Sequence, residues 1–568
     1  VFVRPDSVGY RLRKLVQRHQ IGVAAAAALT LSVVGGLAGT IWQARAAGRA
    51  AARATSEATR ATAARNFLAG LFTEADPGRA LGENLTAHDL LHRARSRLDS
   101  AFASQPEVRL DLLLTLGVIY RRIQRLPAAD SLASGAVALA ESLHGPGSIS
   151  AANALQTLGA TRLAAGALQS ADSLLTRAVT ILRGQDGADS VLAGSLDVRG
   201  SVKNRLGEFA AAESSYREAI ALATRVRLDS TDLGSFWQNL NVTLGDAGRR
   251  EAADSALRQA LAIQQRVLSP DHPSLLLSLG SLASRLQSRW ELDSAIALAE
   301  DVLARQRRVY PAGHERVATA MNNLAFYRMQ LGDYAAAEAG FREAHEMAEQ
   351  LHGASHLTTL ILLNNVGRSL VLGGKPDDAV GIFRRVLSGL RTLGQDHPYT
   401  GQALQWLGRA HAAQGRLAVA RVVLDSALTL SRRLPPEHPR TAEVTLALAT
   451  VDLAERRFTQ AESRLRSVLM WREKYLDARD PLIAEGALLL ARCRAEQGAR
   501  AAAESLFTDG IRRLEANRYR GREAESARRE LASWRAALAV APRGSAPKVC
   551  CRSTSATPGS GTERRGGG

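Results

Sequence analysis

Cysteine is nearly absent: three in 568 residues, too few for a disulfide framework. Two of them, Cys550 and Cys551, stand beside each other near the C-terminal end with no ligand-type residues around them. The third, Cys493, falls on a helical pattern and reads as a small buried residue rather than a nucleophile. Lysine is also scarce, five against 68 arginines. In a chain this rich in alanine and glycine, that ratio reflects base composition more than a nucleic-acid footprint. The net charge of +18 is spread along the chain and interleaved with Asp and Glu, as on a solvated surface. Catalytic signatures are missing as well. There is no Gly-x-Ser-x-Gly elbow, no His-Arg-Asp loop and no Asp-Phe-Gly. Gly374-Lys375 lacks the upstream glycine and the following Ser or Thr of a phosphate loop. These absences argue against an enzyme, and no cofactor is expected.

What the chain does have is a period. Ala129, Ala171, Ala212, Ala253, Ala295, Ala337, Ala379, Ala420, Ala461 and Ala503 recur at spacings of 41 or 42. Other columns keep the same register. Five residues before the ladder alanine, seven of ten positions are glycine, as where a helix ends in a left-handed turn. Seven after it the residue is Ala, Val or Gly, sharing a helical face with the ladder. Thirteen before it stands Leu or Val except at Arg199, and twelve before it Gly or Ala except at Asn241. The unit is therefore helix, glycine turn, helix, with a bulky residue beside a small one on the first helix. A fixed period of this length means a solenoid, in which each unit buries its apolar face against its neighbours.

The order Leu-small, Gly, Ala, Ala resembles the tetratricopeptide repeat, whose usual unit is about 34 residues. The longer period here resembles the kinesin-light-chain-type variety, and the linkers agree. Asp271-His272-Pro273, Asp396-His397-Pro398 and Glu437-His438-Pro439 each precede a first helix, where proline suits the helix start. His314-Glu315, His356-Leu357 and Asp480-Pro481 are altered versions of the same linker. The resemblance covers roughly residues 81–540. It implies an all-α, right-handed α-solenoid of about ten repeats, closed by a lone helix at Thr86–Leu91 and by a polar one at Glu523–Leu538. His88 and His92 lie at i, i+4 in the first of these, but with no third ligand they read as a solvated face, and no metal is expected. Residues 541–568 have almost no apolar content and are expected to be disordered.

Ile21–Trp42 is 22 residues without a charge, enough to cross a hydrocarbon core of about 30 Å at about 1.5 Å per residue. It follows a basic segment at 1–20 and precedes an Ala/Arg/Thr-rich stretch at 43–80 that reads as a helical stalk. A transmembrane helix is the expectation, with removal as a signal peptide the alternative. Gly35-x-x-x-Gly39 would then offer a homodimer contact through the span, no more strongly than chance in an Ala/Gly-rich run. Arg4-Pro5-Asp6, Gly9-Tyr10-Arg11 and Lys14, followed by span, stalk and repeats, resemble the C-terminal part of bacterial membrane-anchored serine/threonine kinases. That resemblance implies a single-pass bacterial cell membrane location with extracytoplasmic repeats, and a kinase domain upstream of Val1.

In the tetratricopeptide family the first helices line the concave surface, and asparagines there hold an extended peptide. Fourteen and fifteen residues before the ladder stand Asn239, Asn322, Asn323, Asn364, Asn365 and Gln405. Their amides both donate and accept, so they fit a peptide backbone. They fit bridges between adjacent repeats equally well. Eleven before the ladder, Arg368, Arg409 and Arg492 make the C-terminal half basic. The expectation is a membrane-anchored protein-interaction module whose partner is a protein or extended peptide, with acidic character. A kinase activity carried upstream and a secreted or soluble scaffold are the alternatives.

Overall fold

The computed structural model describes residues 87–540, save 395, 396, 398, 435–437, 479 and 518–520, together with scattered positions between 13 and 69. The described residues are helical, with no strand among them. They fall into two compact units, residues 1–249 and 250–568.

The first unit holds α1 (Ala87–Ala101), α2 (Pro106–Arg122), α3 (Leu126–His144), α4 (Ile149–Ala164), α5 (Leu168–Leu182), α6 (Asp189–Arg205), α7 (Phe209–Arg225) and α8 (Ser230–Asp246). The second opens with α9 (Arg250–Val267) and continues through α10 (Pro273–Ser288), α11 (Leu292–Val309), α12 (Glu315–Leu331), α13 (Tyr334–His352) and α14 (Leu357–Leu372). It then runs through α15 (Pro376–Leu393), α16 (Thr400–Ala413), α17 (Leu417–Ser431), α18 (Pro439–Ala454), α19 (Phe458–Tyr475), α20 (Pro481–Glu496), α21 (Arg500–Glu515) and α22 (Gly521–Val540). Even-numbered helices from α2 to α20 are the first helices of repeats, and odd-numbered ones from α3 to α21 the second.

The alanine ladder sits on the second helices and is fully buried at all ten positions. Five residues earlier, all ten positions adopt the left-handed conformation, the seven glycines and also Gln124 (φ 60), Trp290 (φ 61) and Arg456 (φ 62). The turn geometry is thus invariant, and the three non-glycine residues accept a backbone that costs an L residue about 1 kcal/mol. The small residue twelve before the ladder is a hole, and its filler is the residue four after the ladder. A Cβ built on Gly367 would stand 2.7 Å from the Phe383 ring, and one on Gly408 2.5 Å from Leu424 Cγ. Gly200 meets the Tyr216 ring in the same way, at 2.7 Å.

The ends behave as caps in part. Phe102, after α1, stacks edge-on against Phe67 at 5.2 Å. At the other end Trp534 of α22 is buried against Phe507 of α21, ring centroids 6.2 Å apart. The tail at 541–568 lies outside the described residues, and so do most of the stalk at 43–80 and of Ile21–Trp42. Among the described residues no helix is long and apolar enough to cross a membrane, because the repeat helices alternate a small buried face with an arginine-rich outer one. The bacterial cell membrane location is therefore corrected.

Candidate interaction surface on the first helices

In the second unit, successive first helices approach each other (α10 with α12, α14 with α16, α16 with α18, α18 with α20) more closely than any two second helices do. The first-helix side is therefore the inner side of this stack. It carries the amide and arginine columns.

The amides are mostly engaged with one another. Asn365 Nδ2 donates to Asn322 Oδ1 of the preceding repeat at 2.8 Å, and Asn322 Nδ2 donates to Asn323 Oδ1 at 3.3 Å. Arg368 Nη1 donates to Asn365 Oδ1 at 3.3 Å. A continuous chain of polar contacts thus runs from α12 onto α14. Asn364 is 5% exposed, and its Oδ1 has no partner. Gln405 is buried on α16. Asn239 belongs to the first unit, where its Nδ2 donates to Asp197 Oδ1 at 2.8 Å. Burial raises the Asp197 carboxyl to about 6, an effect that the Asn239 bond opposes and the Asp232 charge reinforces.

The arginines form the most distinctive part of the surface. The guanidinium of Arg368 lies 5.1 Å from the Trp406 ring centre and 5.9 Å from that of Phe326, and Arg409 lies 4.4 Å from Trp406. Two like charges therefore share one indole, each held by cation–π attraction. Burial, then the charge of Arg409, push the Arg368 guanidinium down to about 10, against a weaker opposing pull from Glu443. Glu443 is itself paired with Arg472 at 3.3 Å. Arg368 Nε is buried without a partner, and among the described residues neither Arg368 nor Arg409 forms an ion pair. Arg492 differs from them. It is bound through Nε and Nη2 to Glu530 of α22 at 2.6 and 2.7 Å, so it fixes the terminal helix and adds no free charge.

Sequence reasoning passed over Trp406 and Phe326. Trp406 stands fourteen residues before Ala420, in the asparagine column, and Phe326 eleven before Ala337, in the arginine column. Reading those columns in full, rather than for amides and cations alone, would have found both. Cys493 is buried and its Sγ donates to the Phe458 carbonyl at 3.2 Å. Burial raises its thiol to about 11, which leaves it unreactive near neutrality.

Two models described as tetratricopeptide repeat match the chain, one at residues 109–184, 316–392 and 399–469, the other at 238–274 and 275–316. Together these segments span just over half of the sequence. Clustered mitochondria protein homologs from Aspergillus niger and Aspergillus clavatus are 24% and 23% identical over 204 residues. That match takes in 36% of this chain but only 16% of either relative. These relatives are fungal and bear a mitochondrial name, against the bacterial membrane location expected from the sequence. A crystal structure of nearly identical TPR-like repeats of a kinesin light chain from Podosopora anserina is 23% identical, covers 36% of this chain and 98% of its own, and has a TM-score of 0.32. A Rap protein complexed with competence and sporulation factor is 15% identical, covers 64% of this chain and 98% of its own, and has a TM-score of 0.45. With helix–turn–helix repeats in each of its two units, the chain belongs to the tetratricopeptide-repeat proteins.

Proposed function

We propose that the chain is a protein-interaction module whose second unit takes an extended acidic peptide on the face formed by α12, α14, α16 and α18. The observation that carries this reading is the pair of guanidiniums on Trp406. Arg368 and Arg409 repel each other across a largely buried indole, and the charge of Glu443 offsets this only in part. An incoming carboxylate relieves that repulsion, so the site favours acids and rejects bases. Beside it, the unpaired Asn364 Oδ1 is an acceptor for a backbone N–H, and the Asn322–Asn365 chain supplies further amide contacts. Asn239, in the first unit, belongs to this reading only as a bridge to Asp197.

The test is panning of a random-dodecamer display library against the full chain. Enriched peptides should carry an excess of Asp and Glu and lose affinity for the Arg368→Gln/Arg409→Gln and Asn323→Ala/Asn365→Ala variants, with the helical circular-dichroism spectrum unchanged. Retention at wild-type strength by both variants would sink the assignment. The association with an upstream serine/threonine kinase rests only on the motifs within residues 4–115, and reading the coding sequence upstream of Val1 tests it.

A further inference from the structure

Twenty-three residues before the ladder alanine, five successive repeats carry histidine: His272, His314, His356, His397 and His438. In each, Nδ1 accepts a hydrogen bond from the backbone N–H two residues on; His272, His314, His356 and His438 are thereby the N-caps of α10, α12, α14 and α18, and the His397 contact lies just ahead of α16. The donors are Ser274 (3.2 Å), Arg316 (3.0 Å), Thr358 (3.2 Å), Tyr399 (3.3 Å) and Arg440 (3.2 Å). An imidazole that accepts through Nδ1 must be neutral, with its proton on Nε2. Repeats elsewhere in the same register cap with a hydroxyl or a carboxyl; burial raises the Asp480 carboxyl, but protonated or not it keeps an accepting oxygen. Ser148 accepts from Ala151 at 3.1 Å, and Asp480 from Leu482 at 3.0 Å. The imidazoles are confined to α10, α12, α14, α16 and α18, which include every helix of the proposed peptide face.

We propose that this histidine column is a proton switch: acidification uncaps α10, α12, α14 and α18, breaks the His397 contact that leads into α16, and releases a peptide held on their inner face. The release rests on the proposed peptide site; the titration of the caps does not. Protonation places a hydrogen on Nδ1, directly against the backbone N–H that it had been accepting. It also puts a positive charge at the positive end of the helix dipole. Repeats in such an array are held mainly by their neighbours, so five adjacent losses act on one another.

The surroundings of His314, His356 and His438 favour the neutral ring. His314 stacks on Tyr310 at 4.2 Å; burial and then Arg316 lower its pKa, against a weaker pull from Glu315. His356 stacks on a second imidazole, His352, at 4.6 Å. Burial and His352 lower it, and Glu315 of the preceding first helix opposes them. Burial and Arg440 lower His438. His397 stacks on Tyr399 at 5.8 Å. His272 follows Asp271, whose charge is taken by Arg308 at 2.9 Å. At His314, His356 and His438 the lowered folded-state pKa fixes the sign. The contribution is complete above the unfolded value of about 6.5 and is lost as pH falls through the lower folded values.

Hydrogen exchange on the full chain, corrected for the intrinsic rate, tests the switch between pH 7.5 and 5. Protection at the first turns of α10, α12, α14, α16 and α18 should fall, by up to about tenfold per pH unit below the imidazole pKa. Protection at Ala151 and Leu482 should not. The His314→Asp/His356→Asp/His438→Asp variant keeps an acceptor of the kind Asp480 supplies and should lose the response at those three helices. If the triple variant does not fold, the three single His→Asn variants serve in its place. A uniform response across all first helices, or an unchanged response in the variants, overturns the proposal. In a second arm, a display-enriched acidic dodecamer should dissociate from wild type at pH 5.5 and remain bound to the variant. Caps that titrate without release overturn the switch, whereas failure of any dodecamer to bind at pH 7.5 overturns the peptide site and leaves the exchange result to decide the caps.

Discussion

Replacing Gly367 by Ala tests the packing that defines the repeat. A Cβ there would stand 2.7, 2.7 and 3.1 Å from three atoms of the Phe383 ring. That ring is fully buried and has no free end to swing aside. Overpacking of this kind costs about 1–3 kcal/mol. Alanine returns about 1 kcal/mol through its better helix propensity, leaving a net loss of up to about 2 kcal/mol. Gly117 occupies the same column in another repeat, but its nearest neighbours lie at 3.8–3.9 Å. Gly117→Ala should therefore gain the propensity term alone, about 0.5–1 kcal/mol. Urea unfolding of each variant, followed by circular dichroism, measures both. If Gly367→Ala stabilises as much as Gly117→Ala, the hole-and-filler account is wrong.

Three further outcomes follow from single residues. Arg472 is 1% exposed and donates to the Leu482 carbonyl and to Glu485 and Glu443; its replacement by Ala leaves a buried carbonyl and a cavity and should cost about 3 kcal/mol in urea unfolding. Gln124 holds φ 60 in a turn where seven repeats use glycine, so Gln124→Gly should stabilise by up to about 1 kcal/mol in the same assay. Cys493, with its thiol raised to about 11, should resist iodoacetamide in the native chain at pH 8 and react only after unfolding, as peptide mapping by mass spectrometry would show.

The repeat itself was legible because its columns depend on size and backbone conformation, and both leave a fixed residue type behind. Only glycine turns at Gly332 or Gly415 without strain, and only a small residue at Gly367 admits Phe383. The filler column was not legible. It holds Leu175, Tyr216, Phe383 and Leu424, residues of different shape that share only a need to occupy volume. The amide contacts were half legible. The spacing put Asn322 and Asn365 on one face, but whether their partner is a ligand or the next repeat depends on a rotamer and a separation that no spacing encodes. Arg492 shows the same limit, since its column matched Arg368 while its charge was committed to Glu530, 38 residues on. Trp406 was hidden for another reason: an aromatic in a polar column reads as core until the two guanidiniums on it are seen.

The central claim is that Arg368 and Arg409, held on Trp406, recognise acid. Its most direct measurement is fluorescence anisotropy of a display-enriched acidic dodecamer titrated with wild type and with the Arg368→Gln/Arg409→Gln variant at two salt concentrations. The account predicts at least about a tenfold loss of affinity in the variant, corresponding to about 1.4 kcal/mol, and a weaker salt dependence. Equal affinity and equal salt dependence in the two proteins would contradict it.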